Sequence, residues 1–538
     1  MREHSAEIVI VGSGVAGALI AARLARSGVK VLILEAGPRV QRAQALQQFE
    51  RAPLKMPESP YPNPVWAPHP LTDKLDDYFV QAGPEKFQST YLRQVGGTTW
   101  HWLGTALRFV PDDFRLRSRF GLAVDWPISY NDLEPWYCEA EHELGVSGDS
   151  AADPAAPRSR PYPLPPIPMT FMDQRVAAAV HSLGYRIEPT PQARNSVAYD
   201  RRPPCCGSGS CIPICPIQAK YDATVHLAQA ERAGAQLLDS AVAHAVEVGP
   251  DRRIAGIRFK RPDGTEERAV AKGFVIAANA IETAKLLLQS RTESLPGGVA
   301  NASDQVGRNL MDHPSQLSWG LSGQKVWSYR GPQSTAGIES GRAGGWRSQR
   351  PSFRMQLSND GWNWPTGAPY TTVETLLGRG LRGVELDRAL ADHSARELCL
   401  ACLTEQLPLP ENRVVPDFGQ RDALGLPRPR IHFRLDDYTR RGLEEARRLH
   451  QRIFDAMRCT EAHHDPHFQP AGHLLGTFRM GDNPKLSVVN RDLRAHDHPN
   501  LFLVGGGAFP TGAASNPTLT IAALALRSVS AIRQTQTR

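Results

Sequence analysis

Residues 8–37 read IVIVGSGVAGALIAARLARSGVKVLILEAG, and no other stretch of the chain narrows the choice of fold so far. A fully apolar strand runs into Gly12-x-Gly14-x-x-Gly17, followed by a small-residue helix expected from Ala18 to Ser27 and a second apolar strand from Val29 to Leu34. Gly12 permits the tight turn, Gly14 lets the backbone approach a pyrophosphate, and Gly17 lets helix and strand pack closely. The helix N-terminus then offers unpaired N–H groups and a positive dipole end to the phosphates. Glu35 stands eighteen residues after Gly17, where a carboxylate can hold ribose hydroxyls. A glycine-rich turn without a ligand is the rival reading. Strand, motif, helix, strand and acid in sequence favour a dinucleotide. NAD and FAD share this pattern, while Glu35 would repel the 2′-phosphate of NADP.

The rest of the chain is ordinary in bulk. Of its 538 residues, 41% are hydrophobic and 22% charged, values of a globular protein with a sizeable core. At about 150 residues per domain the length suggests three or four domain-sized units. No apolar run approaches the roughly 18 residues of a membrane span. The first strand begins so early that no cleavable signal peptide is expected. The net charge of +7 comes from scattered rather than striped residues, which argues against nucleic acid.

Three further segments select the flavin. Gln94–Trp102 reads QVGGTTWHW, Asp304–Pro314 reads DQVGRNLMDHP, and the carboxyl end carries HPNLFLVGGGAFPTGAASNPTLTIAALALR. With the amino-terminal unit, these blocks resemble the glucose–methanol–choline (GMC) oxidoreductase family over nearly the whole chain. The resemblance implies bound FAD, oxidation of an alcohol, and an α/β fold. In that fold a Rossmann-like FAD domain is assembled from discontinuous pieces (1–314 and 470–538) beside an α+β substrate domain with an antiparallel sheet (315–469). It implies that Gly96, Gly97 and Thr98 line the flavin and phosphates, and that Phe274–Leu288 runs behind the flavin. In some members a histidine at the place of His101 is bonded covalently to the flavin; in others it packs beside the ring, and both readings stand here.

Oxidising an alcohol requires a positioned base for the hydroxyl proton, and histidine has the suitable pKa. The block AGHLLGTFRMG places His473 at the family's catalytic histidine, and SNPTLT places Asn516 at its partner. Two departures stand out. Gly505-Gly506-Gly507 replaces the family's usual Asp-Ala-Ser, with backbone N–H groups as the expected substitute. Ala471 and Gly472 stand where sugar-oxidising relatives with a cysteine cluster often carry two asparagines, which leaves the substrate open.

Pro203–Lys220 reads PPCCGSGSCIPICPIQAK. Zinc would favour two well-separated Cys arms or nearby histidines, and neither is present; local disulfides rank below a cluster because the thiols crowd one loop. A Cys-Pro ending and free backbone N–H groups suit iron–sulfur ligation. Within the family the loop resembles catalytic subunits of bacterial membrane-linked dehydrogenases for glucose, fructose and gluconate, which carry a 3Fe–4S cluster on three cysteines. Adjacent cysteines in an extended loop point apart, so Cys205 and Cys206 do not both ligate one cluster; Cys205, Cys211 and Cys215 are the expected ligands, with Cys206 in place of Cys205 the alternative. Cys206 is left for a disulfide to a partner subunit. A cluster splits hydride equivalents into single electrons, so a cytochrome c or quinone is expected as acceptor; an oxidase releasing hydrogen peroxide is the alternative.

The same resemblance implies a small chaperone-like subunit that carries the export signal and a multihaem cytochrome c, placing the chain in the periplasm, with membrane contact only through a partner; a cytoplasmic location is the alternative. Cys399-x-x-Cys402 reads as part of a strand. The proline-rich stretches Pro60–Pro70 and Pro154–Pro168, within 50–90 and 150–200, are expected as extended surface segments. Residues 340–395, rich in Gly and Arg, yield no reading.

Overall fold

A computed structural model describes residues 1–53, 55–359 and 370–536. At its centre a parallel five-stranded sheet has the order Leu501–Leu503, Gly273–Ile276, Ile8–Val11, Val31–Leu34, Gln236–Leu238. Ile8–Val11, Val31–Leu34 and Gly273–Ile276 are buried at every residue, as unbroken apolar runs require in a parallel sheet covered on both faces. The helix after the glycine motif starts not at Ala18 but at Val15 and ends at Arg26. Gly14 is already the N-cap, so the helix's unpaired N–H groups open directly onto the loop. Helices Val15–Arg26 and Thr518–Arg533 pack against each other, bringing the two chain ends into one layer. A four-stranded sheet, ordered Arg2–Ser5, Glu266–Val270, Ile254–Lys260, Val242–Val248, flanks this unit.

A six-stranded antiparallel sheet forms the second half. Its order is Thr460–His464, Ser315–Leu321, Glu397–Thr404, Phe353–Ser358, Ala336–Ile338, Glu188–Pro189. Side chains alternate between its faces. Leu398, Leu400 and Cys402, with Phe353, Met355 and Leu357, form a core that also holds Val176 of helix Phe171–His181 and Ile453 of helix Asp437–Ala456. Cys399, Ala401 and Leu403, with Ser315, Leu317, Gln356 and Ser358, line a cavity on the opposite face. Not all of residues 315–469 joins this sheet: Arg413–Arg421 pairs with Pro427–His432, which pairs in turn with Val80–Gln81, and both pack on helix Asn279–Gln289.

The segment Pro60–Pro70, expected at the surface, in fact buries Tyr61 and His69. The reason is a bond across the fold: the Tyr61 hydroxyl donates to the Pro213 carbonyl at 2.5 Å, and its ring packs edge-on to Trp100. Pro154–Pro168 likewise buries Tyr162, Leu164 and Ile167, with the Arg158 guanidinium 3.5 Å from the Tyr162 ring centre. Proline stiffness sets an extended path for both segments, but their aromatic side chains turn inward. No helix among the described residues is long and apolar enough to cross a membrane.

Candidate active site

A cavity of about 470 Å³ runs from the glycine loop to the antiparallel sheet. At one end, Gly12 has φ +98°, and a Cβ there would lie 2.5 Å from the Ala277 carbonyl oxygen. A Cβ on Gly17 would meet the Gly12 carbonyl oxygen at 2.0 Å. Gly14 differs: nothing lies within 4 Å of its Cβ position, and Gly97 packs over its Cα. Gly14 therefore leaves an open cradle at a helix N-terminus, the shape and polarity a pyrophosphate needs. Glu35, also in the cavity wall, accepts from the Ser13 hydroxyl at 2.6 Å and from the amides of Ser13 and Gly37 at 3.0 and 3.1 Å. Thr98 lines the cavity too, with its Oγ1 accepting from the Leu92 amide at 3.2 Å. Gly96 turns the chain with φ +93°. Gly505, at φ +138°, has open space at its Cβ position and borders the cavity together with Gly506.

His101 is buried in the wall of the cavity. Burial, together with the nearby Lys220 ammonium, lowers its pKa to about 3, so the ring is neutral at any working pH.

At the other end the sequence-predicted pair meets: Asn516 Nδ2 lies 3.4 Å from His473 Nε2. Two residues that the sequence reading did not assign complete the arrangement. His313 Nε2 faces the carbonyl oxygens of Gly512 and Ala513, both at 3.0 Å. A carbonyl only accepts, so His313 Nε2 carries the proton and, in the neutral ring, Nδ1 keeps its lone pair. That Nδ1 lies 2.8 Å from His473 Nδ1, which must then be the donor. His473 Nε2 is left unprotonated, accepting from the Asn516 amide. Arg354 fixes the same answer from the far side: its Nη1 donates to Asn516 Oδ1 at 3.3 Å, so the Asn516 NH2 group turns to His473. Burial first, then the electrostatic influence of the adjacent His313 ring and the Arg354 guanidinium, hold His473 well below the usual histidine pKa.

Asp312, His313 and His473 bring three potential ligand atoms within 4.8 Å, but hydrogen bonds account for the group. The Asp312 carboxylate accepts from the amides of His313, His473 and Ala471 at 2.7, 2.9 and 3.3 Å, and from the Ser89 hydroxyl. It anchors the loop that carries His473. The signal was present in DQVGRNLMDHP, but its meaning depends on a contact 160 positions away.

The cysteine loop abuts this cavity. Ile212 and Gln333 border the cavity, and the Ile212 amide donates to Gln333 Oε1 at 2.7 Å. Cys205, Cys206, Cys211 and Cys215 line a recess beside Arg194. Cys211 and Cys215 are buried, whereas Cys206 is exposed. The amides of Gly207 and Lys220 donate to Cys205 Sγ and Cys215 Sγ at 3.4 and 3.5 Å. Arg194 is buried, and its Nε and Nη1 have no hydrogen-bond partner among the described residues, an unsatisfied positive edge that suits an anionic group in the recess. The residues that would hold an iron–sulfur cluster here are the cysteines of this recess, two of whose sulfurs accept from backbone amides. Lys220, buried, donates through Nζ to the carbonyls of Trp100 and Cys211 at 2.9 and 2.8 Å and to that of Trp102. One ammonium thus ties the Gly96–Trp102 wall to the cysteine loop.

Comparison with known proteins agrees with this geometry. Models of the GMC oxidoreductase family match residues 9–315 and 408–525. The fructose dehydrogenase large subunit of Gluconobacter japonicus is 39% identical over 98% of each chain. The 2-methyl-1,2-propanediol dehydrogenase of Mycolicibacterium austroafricanum is 29% identical over 97% of this chain and 94% of its own. Pyridoxine 4-oxidase from Mesorbium loti has the same fold, with a TM-score of 0.65 over 98% of this chain and 99% of its own at 17% identity. The chain belongs to the GMC oxidoreductase family, as an FAD-dependent oxidoreductase of hydroxylated substrates.

Proposed function

We propose that the chain is an FAD-dependent dehydrogenase that oxidises a hydroxyl of a sugar, glycoside, sugar acid or polyol. In this reading electrons leave singly through a 3Fe–4S cluster on Cys205, Cys211 and Cys215 to a cytochrome c or quinone. Residues 1–314 and 470–538 serve the flavin, and 315–469 the substrate. The observation that carries the reading is the hydrogen-bond chain ending at an unprotonated His473 Nε2 in the cavity wall.

His473 Nε2 takes the proton of the substrate hydroxyl, while the Asn516 NH2 group steadies the same oxygen. The imidazolium that results keeps its Nδ1–H on His313 Nδ1, so the ring does not rotate away during proton transfer. Gly14, Glu35, Gly97, Thr98 and Gly505 hold the dinucleotide. FAD, when bound, supplies the hydride acceptor. Cys205, Cys211 and Cys215 hold the cluster as thiolates, with Arg194 offsetting their charge, and the cluster supplies one-electron transfer.

The fructose dehydrogenase relative is itself a large subunit, one part of an assembly. By that likeness this chain works with a small chaperone-like subunit and a multihaem cytochrome c in the periplasm, and exposed Cys206 offers a disulfide to a partner. Non-reducing electrophoresis of the complex tests this last point: the crosslinked band disappears in C206S, and its persistence there contradicts the assignment.

An anaerobic screen of D-fructose, D-sorbitol, D-gluconate and methyl glucosides, read by flavin bleaching, tests the substrate class; no bleaching by any of them refutes it. An acceptor assay separates the two exits for electrons. A dehydrogenase reduces cytochrome c or a quinone with little peroxide, whereas a peroxide yield matching the substrate oxidised identifies an oxidase.

A further inference from the structure

The strand Phe353–Ser358 sends Arg354, Gln356 and Ser358 to the face opposite its core residues, and Gln356 and Ser358 border the cavity. Arg354 is fully buried and spends every donor on a fixed partner. Nε and Nη2 bind Glu339, Nη2 also reaches Thr190 Oγ1, and Nη1 reaches both Gln356 Oε1 at 3.2 Å and Asn516 Oδ1 at 3.3 Å. A guanidinium only donates, so it can meet each amide only through its carbonyl oxygen. Both amides therefore present their NH2 groups outward. That of Asn516 goes to His473. That of Gln356 has no protein partner among the described residues, although the residue is only 8% exposed. A nearly buried donor in a cavity wall, with its orientation locked from behind, is an unfilled hydrogen-bonding position.

We infer that Gln356 is a specificity-determining residue. It donates Nε2–H to a second hydroxyl oxygen of the substrate, on a carbon next to the one oxidised at His473, and Arg354 is the positioning residue that holds Gln356 and Asn516 as a matched pair of donors. One Nη1 holds both amide oxygens, so the two amides share one anchor in the cavity wall and each NH2 group stands one amide's width beyond it. That suits oxygens on adjoining carbons, not opposite ends of a sugar. The class selected is the vicinal diol within a polyol or sugar; a monohydric alcohol leaves the Gln356 donor buried and unpaired, which costs binding.

This inference rests on the proposed alcohol-oxidising role of His473, and the experiment keeps the two apart. The holoenzyme is mixed anaerobically with the best substrate of the panel above and with each of its monodeoxy analogues, and flavin reduction is followed. In the wild type, one analogue, lacking a hydroxyl next to the oxidised carbon, is expected to lose about tenfold or more in kcat/KM, chiefly through KM. Q356L is expected to lose about tenfold on the parent substrate and almost nothing on that analogue, with an unchanged flavin spectrum. R354Q, which frees both amides, is expected to slow both substrates and to move the acid limb of the pH profile upward. Equal losses by Q356L on the parent and every analogue would overturn the inference. So would a wild type that reduces its flavin equally fast with all analogues, a result that needs no variant to fold. Failure of the proposed function looks different: the wild-type flavin is bleached by none of the panel.

Discussion

At the scale of the residue, the proposed function turns on which nitrogen of His473 carries the proton, and four residues decide it. The Gly512 and Ala513 carbonyls, His313 and Arg354 leave one consistent assignment, with Nε2 bare toward the cavity. Removing the base in H473A is expected to lower the rate of flavin reduction by about 10²–10⁴-fold while leaving the flavin spectrum normal; near-normal reduction would show that the proton leaves by another route. The pH dependence follows from the depressed pKa. In the proposed mechanism the active form is neutral His473, and it is lost only as pH falls through that pKa. The acid limb of kcat/KM therefore lies below pH 6.5, with a plateau through neutrality. Arg354 contributes to the depression, so R354Q should shift this limb to higher pH; a limb in R354Q at or below the wild-type position would contradict that role. His473 and Asn516 were legible because each sits in a short block of recognisable residues. His313 sits in such a block as well, but its role exists only in its contact with His473. Arg354 lies in a Gly- and Arg-rich stretch where no spacing distinguishes a buried arginine from a surface one.

At the scale of the element, the glycine loop separates folding from binding within a few residues. A methyl on Gly17 collides with the Gly12 carbonyl, whereas a methyl on Gly14 meets nothing. G17A is expected to cost about 1–3 kcal/mol of stability through overpacking, read as a lowered Tm of the apoprotein. G14A should leave that Tm unchanged yet retain less FAD after purification, because its methyl occupies the phosphate cradle. Equal effects of the two variants on apoprotein Tm would contradict this division. The loop, both strands and the acid at Glu35 were readable from pattern alone, since each obeys a local rule; only bounds shifted, the helix to Val15–Arg26 and the start of the second strand to Val31. The strand Glu397–Thr404 was readable as a strand, and its alternation puts Cys402 in the core and Cys399 on the cavity. The proline-rich stretches were readable as extended but not as partly buried, because the partners of Tyr61 lie in the Trp100 and Pro213 segments.

At the scale of the whole molecule, the halves are joined by buried charge. Arg347 is fully buried between Asp113 at 2.8 Å and Glu405 at 2.9 Å, and Arg342 reaches Asp153 at 2.5 Å. These partners lie far apart in the chain, which explains why residues 340–395 resisted reading: arginine in a glycine-rich stretch resembles a solvated loop until its acids are known. Residues 360–369 of that stretch lie outside the described residues. R347A strands two buried carboxylates and is expected to cost about 3–5 kcal/mol, measured as a lower denaturation midpoint; a loss below about 1 kcal/mol would show that the cluster does not join the halves.

Cavity and cysteine loop meet through Lys220, Ile212 and Gln333, and on that junction the dehydrogenase reading depends. The most direct test is electron paramagnetic resonance of anaerobically purified protein, with flavin, iron and acid-labile sulfide assayed on the same sample. The account predicts one FAD and one three-iron cluster per chain, with the oxidised-cluster signal vanishing when an oxidisable polyol is added to the wild type and persisting in H473A. Protein that contains FAD and oxidises the polyol but carries neither iron nor sulfide would contradict it.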